Sequence, residues 1–99
     1  MTRNRMRPIH PGEILRQEFL VPLNMSASRL ALALHVPANR ITAILSGARG
    51  VTAETALRLA RFFGTTPAFW MNLQQAFELR TAEQELGSSI EREVRPAHH

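Results

Sequence analysis

The chain has no cysteine, no lysine, no aspartate and no tyrosine among its 99 residues. Without cysteine there is no disulfide framework, no thiolate zinc site and no thiol nucleophile, and redox usage does not assign a compartment. Without aspartate or tyrosine, acid–base chemistry is left to eight glutamates and four histidines. His10 stands at a predicted helix opening, His35 in a predicted turn, and His98 and His99 at the end of the sequence. None is spaced with a glutamate or serine as a catalytic or metal triad demands, so no enzyme, no cofactor and no metal site is expected. Long apolar runs are lacking too. The longest, Leu30 to Leu34, is far short of the roughly 20 residues of a membrane span. Residues 1–7 carry no apolar stretch of a secretory signal. A cytoplasmic protein with no membrane association is expected.

What is present is arginine. All twelve basic residues are Arg, and the formal net charge is +4. Its distribution is uneven. Residues 1–66 hold nine Arg and three Glu, a net of +6, whereas residues 67–99 hold three Arg and five Glu, a net of −2. A basic front and an acidic back point to a polyanion at one end and a different task at the other. Arginine grips phosphate and guanine with a planar fork, although a GC-rich genome would give the same bias over lysine. With 44% hydrophobic and 20% charged residues, the length and composition are those of one globular domain.

Punctuation marks five helices and no strand pattern, an all-α class. Residues 1–9 read as a flexible basic arm in which Arg3, Arg5 and Arg7 alternate with other residues up to Pro8; such an arm can lie on DNA or merely solubilise. His10-Pro11-Gly12-Glu13 opens the first helix, with Pro where its missing N–H is harmless and Glu near the positive helix end. Ile14, Leu15, Phe19 and Leu20 then recur at helical spacing until Pro22, where the helix is predicted to stop. Ser26 caps the second helix, Pro37 opens the third, and Gly47 suits a left-handed cap at its end. Thr52 caps a fourth helix that reaches Gly64 through Leu57, Leu59, Ala60 and Phe63. Thr66-Pro67 starts a fifth, predicted to extend to about Leu86, before Gly87-Ser88-Ser89. The domain is thus set at residues 10–87, followed by a flexible tail over 88–99.

Leu30-Ala31, His35-Val36, Ile41, Ile44 and Gly47 fall at helix-turn-helix spacing over about 26–46. Leu30, Ala31, Leu34, Val36, Ile41 and Ile44 form the expected hinge core, with Ala31 small enough for close crossing. At about 100° per residue, Ile41, Ile44 and Leu45 share one side of the third helix. Asn39 and Ala43 oppose them, flanked by Thr42 and Ser46 on one side and Arg40 on the other. Asn39 can pair with adenine, Arg40 with guanine or phosphate, and Thr42 offers a methyl or hydroxyl. Ser26 with the start of the second helix, and Arg49 beyond the third, are phosphate candidates; Ala38 and Ser46 complete the predicted DNA-binding set. A solvated helix face has similar composition. The spacing, the capped loop and the basic front favour double-stranded DNA.

Five segments, His10-Pro11-Gly12-Glu13-Ile14-Leu15, Arg29-Leu30-Ala31, Ile41-Thr42, Gly50 to Ala60 and Gly64 to Gln74, together resemble the HigA-type antitoxins. These belong to the lambda-repressor-like (XRE) helix-turn-helix superfamily. The similarity covers about residues 8–86, and the Thr66-Pro67-x-Phe69-Trp70-x-Asn72-Leu73-Gln74 stretch is specific to this group. The resemblance implies a five-helix lambda-repressor-like domain with an extended last helix and a homodimer on a palindromic operator. It also implies neutralisation of a HigB/RelE-like mRNA-cleaving toxin. Two positions depart from the pattern: His35 stands where the superfamily's turn has Gly, and the Gln common early in the second helix is replaced around Ala27.

The fifth helix supports a second surface from its own pattern. Phe69, Trp70, Leu73, Ala76 and Phe77 form a stripe read as core. Met71, Leu79, Ala82 and Leu86 form a weaker one on the far side, read as a dimer or partner surface. Two other readings predict parts of the same behaviour: a free-standing repressor of the superfamily, and an inhibitor module that no longer binds DNA. A small basic reading frame beside the gene separates the first from an antitoxin, and a gel shift on the promoter separates the second.

Overall fold

A computed structural model describes residues 7–97, all helix, turn and loop with no strand among them. The arginines of the arm before Arg7, and His98 and His99, lie outside the described residues.

The first helix, α1, spans residues 11–23 in three stretches: Pro11–Ile14, a wide π-type turn over Leu15–Leu20, and Val21–Leu23. It does not stop at Pro22. The widened turn, in which the Val21 N–H reaches back to the Arg16 carbonyl, shifts the hydrogen-bond ladder just ahead of the proline, where an ordinary helix would meet a missing donor and a ring clash. What ends α1 is Asn24, in the left-handed region at φ 52°, a conformation Asn tolerates better than most residues.

Helices α2 (Ala27–Leu34), α3 (Ala38–Ser46), α4 (Ala53–Phe63) and α5 (Pro67–Glu93) follow. Ser26, Thr52 and Thr66 each accept from the amide three residues on, and Gly47 and Gly64 take the left-handed cap, as their positions predict. The last helix outruns its predicted end by crossing Gly87, Ser88 and Ser89 to reach Glu93. Gly87 keeps a negative φ, so it interrupts nothing; one helical glycine costs only ~1 kcal/mol, and the following Ile90-Glu91-Arg92-Glu93 resumes the helix. Residues 88–93 are therefore helix rather than tail.

Leu15, Leu30, Ile41, Ile44, Leu59 and Trp70 are fully buried at the centre. The hinge core is as expected, with Val36 packed at its edge. Phe19, Phe63, Phe69 and Trp70 gather where α1, α4 and α5 meet. The core stripe of α5 is narrower than its sequence implies: Trp70 is buried, Leu73 and Phe77 half-buried, and Phe69 and Ala76 exposed. Leu57 of α4 also points outward. Beyond Gln74 no residue of α5 is buried, though Phe77 still packs against His10, and past Thr81 the helix stands out from the body. The radius of gyration is accordingly 16.5 Å, against about 13 Å for a compact chain of this length.

Candidate nucleic-acid interface

The α2–turn–α3 unit presents the surface. His35 makes the turn at φ 60°, ψ 47°, the left-handed geometry for which glycine is the easier occupant. Its own amide, donating to the Leu32 carbonyl, and that of Val36, donating to the Ala31 carbonyl, close the turn. Ile41 and Ile44 anchor α3 inward at zero exposure. Ala38, Asn39, Thr42 and Ser46 are exposed along the opposite side, and Ala43 is half-buried among them. The Thr42 hydroxyl donates to the Asn39 carbonyl at 3.3 Å and that of Ser46 to the Ala43 carbonyl at 3.1 Å. Both hydroxyls are thus folded onto their own helix, and the Asn39 amide is the leading polar group on the face.

Arg40 is placed differently from the rest of the set. It is half-buried, and Nη1 donates to Glu54 Oε1 of α4 at 3.1 Å. Glu54 also receives Arg58 Nε at 3.1 Å, while Arg58 Nη1 donates to the Leu34 carbonyl at 2.9 Å. The Arg58 hydrogen bond and the nearby Arg40 charge hold the Glu54 carboxyl below the ordinary carboxylate range. Arg40 in this arrangement fastens α3 to α4, and its fork is turned from the outer face.

Ser26, Thr42 and Ser46 converge on one open groove of about 570 Å³ between the second half of α1, the start of α2 and the C-terminal half of α3. Arg16 and Asn24 line it as well. Their place was not legible in the sequence: Arg16 sits on α1, and only the tertiary fold carries it beside the third helix. Arg49 follows the α3 cap, its side chain exposed. Arg7 is exposed and tied to Glu13 by two bonds of 2.7 and 2.8 Å. That pair holds the Glu13 carboxyl below its usual range.

Comparison with known proteins bears on this geometry directly. A helix-turn-helix family model matches residues 15–70. Virulence-associated protein I of Dichelobacter nodosus is 53% identical over 83 residues, covering 84% of this chain and 77% of that protein. A solved addiction-module antidote protein of the HigA family from Coxiella burnetii is 59% identical with a TM-score of 0.88, over 92% of this chain and 99% of that one. The Pseudomonas aeruginosa antitoxin HigA, solved with the higBA promoter, is 48% identical with a TM-score of 0.91, over 93% and 100%. The chain belongs to the HigA-type helix-turn-helix antitoxins.

Within the HigA-type family the polar outer side of α3 lies on the element that gives the family model its name. The exposed stripe of α5 is on a different part of the molecule: Met71, Leu79 and Leu86 are 36%, 59% and 52% exposed, Ala82 is exposed beside them, and Ile90 and Val94 extend the line. Among the described residues no group of three His or Glu side chains is placed to hold a metal ion, and no helix is long and apolar enough to cross a membrane.

Proposed function

We propose that this chain is an antitoxin that binds operator DNA, represses its own operon and neutralises a HigB/RelE-like mRNA-cleaving toxin. The observation that carries the DNA half is the exposed Ala38, Asn39, Thr42 and Ser46 surface on a third helix anchored by Ile41 and Ile44. Such a helix enters a major groove with its N-terminal residues at the base edges. In this reading Asn39 selects adenine, while Arg49, Arg16 and the Ser26 end of α2 meet phosphate. Arg40 holds the helix in place and turns to DNA only by leaving Glu54.

The α5 stripe of Met71, Leu79, Ala82 and Leu86 supports a homodimer. From Leu79 through Ala82 and Leu86 to Ile90 apolar residues recur at three- and four-residue steps, with Met71 on the same side two turns earlier, on a helix that its own chain leaves uncovered, the pattern of a helix-to-helix seam. Two copies would set their recognition helices one DNA turn apart, ~34–36 Å. The antitoxin half is supported by the kinship with the Coxiella and Pseudomonas proteins. It is tested by co-expression with the neighbouring gene product: rescue from toxicity and co-purification are expected. Operator binding without rescue would leave a free-standing repressor.

A further inference from the structure

The loop that follows the recognition helix is held from three directions. On the α3 side, the Gly47 amide donates to the Ile44 carbonyl at 3.1 Å, and the Ala48 and Arg49 amides share the Ala43 carbonyl at 2.9 and 3.2 Å. On the α1 side stands His10, 8% exposed. Its Nδ1 accepts from the Gly12 amide at 2.9 Å. A neutral imidazole that accepts at Nδ1 carries its proton on Nε2, and the ring faces the loop, with its Cδ2 edge 3.9 Å from where a Cβ on Gly47 would stand and the Arg49 main chain close enough to favour the charged ring. On the α5 side stands Gln74, also 8% exposed. Its Oε1 accepts from the Val51 amide at 2.7 Å, and its Nε2 donates to Glu78 Oε2 at 2.8 Å. Phe77, nearly one turn beyond Gln74, meets the His10 ring edge-on at 4.8 Å between centroids.

Gly50, just before Val51, has no room for a side chain while the Gln74 amide stays in place. A Cβ there would lie 2.7 Å from the Gln74 amide. The main chain after Gly50 is therefore held by the buried Gln74 side chain, the chain before it lies against the buried His10 ring, and the Arg49 side chain stays exposed. A buried amide such as that of Val51 requires an acceptor, but the acceptor here comes from a helix that no local signal connects to the loop. Fixing main chain before binding removes an ordering cost that a free loop would meet on the DNA.

We propose that His10 and Gln74 are positioning residues for operator binding, which hold the 47–51 loop, His10 by packing against it and Gln74 through the Val51 amide, and so aim the Arg49 guanidinium at the phosphate chain. The proposal rests on the DNA-binding reading above. It places two determinants of affinity on α1 and α5, away from the groove, and links the proposed dimer helix to a DNA contact through Gln74.

The test uses the full chain and the DNA immediately upstream of its gene, with affinity read by fluorescence anisotropy across a salt series. Gln74→Met keeps the length of the side chain and removes the acceptor. His10→Asn keeps a strong helix cap and is too short to pack against the loop. Each is expected to weaken binding about tenfold, the value of one charge-assisted hydrogen bond, and to lower the salt slope by about one. Arg49→Ala is expected to do the same, and adding either substitution to Arg49→Ala should cost nothing further. Wild-type affinity in both variants, or losses that add to that of Arg49→Ala, would overturn the proposal and leave the two side chains as parts of the fold alone. If Gln74→Met does not fold, Gly50→Ala serves in its place, because its methyl displaces the Gln74 amide from Val51; the same outcomes then decide. Failure of the unmodified protein to bind that DNA is a separate result, which would sink the operator reading itself.

Discussion

Asn39 and Arg40 are neighbours on α3 with different surroundings, and the difference sorts their expected behaviour. Asn39 is exposed and carries the free amide of the outer face. Asn39→Ala should cost about 1–3 kcal/mol at the operator and leave binding to unrelated DNA unchanged. Equal losses on both DNAs in a competition gel shift would show a backbone contact instead. Arg40 is tied to Glu54, and nothing local in the sequence announces that pair, because it joins positions 14 residues apart on different helices. The caps are the opposite case. Ser26, Thr52, Thr66, Gly47 and Gly64 act within one turn of themselves, so residue type and spacing were enough to place them. His10 was half legible: its role as a cap follows from the adjoining Pro-Gly, but its place against the 47–51 loop depends on the fold.

At the scale of the element, both misplaced helix ends have the same origin. Pattern alone makes proline and glycine stops, yet Pro22 is absorbed by the wide turn before it, and Gly87 adopts ordinary helical geometry. A breaker stops a helix only where the next residues offer a better alternative. Gly47 and Gly64 turn left-handed and the helices that follow pack back on the core, whereas Gly87 keeps a negative φ and the cap-type residues after it, Ser88 and Ser89, stay within the helix. Gly87→Ala should raise the stability of the end of α5 by up to ~1 kcal/mol, seen as slower amide exchange over residues 83–91 with operator affinity unchanged. Faster exchange there would mean that the glycine is needed for a bend or a close approach. The same element-scale view explains the α5 stripes. Periodicity located two apolar faces, but which residues the body covers depends on where the helix leaves it. Gln74, polar and buried within the expected core stripe, could not be ranked above Ala76 or Phe69 from pattern alone.

For the molecule as a whole, pH dependence of folding is expected to centre on His10. Burial pushes its pKa below the ordinary 6.5, partly opposed by the Arg49 main chain and by Glu13. The folded chain therefore holds this imidazole neutral while the unfolded chain takes up a proton more readily, so stability is full above 6.5 and falls as pH drops through that value toward the lower folded one. Glu13 and Glu54, whose carboxyls sit below their usual range, add a loss only at more acid pH, in the carboxylate range. Thermal unfolding from pH 8 to 5 should show a decline that His10→Asn abolishes. An identical decline in that variant would assign it to other groups. The charge division between the front and back of the sequence also becomes spatial. Arg16 lines the groove on the proposed DNA side, the exposed Arg49 follows the recognition helix, and the glutamates past position 77 lie on the last helix.

That projecting helix has a consequence for the life of the protein. Past Gln74 it has no core of its own, and a solitary segment of that length holds its shape in water only marginally. A copy alone in the cell would offer a protease a ready place to cut, while a copy whose spine lies against another surface would be spared. The lifetime of the antitoxin would then be set by the company it keeps.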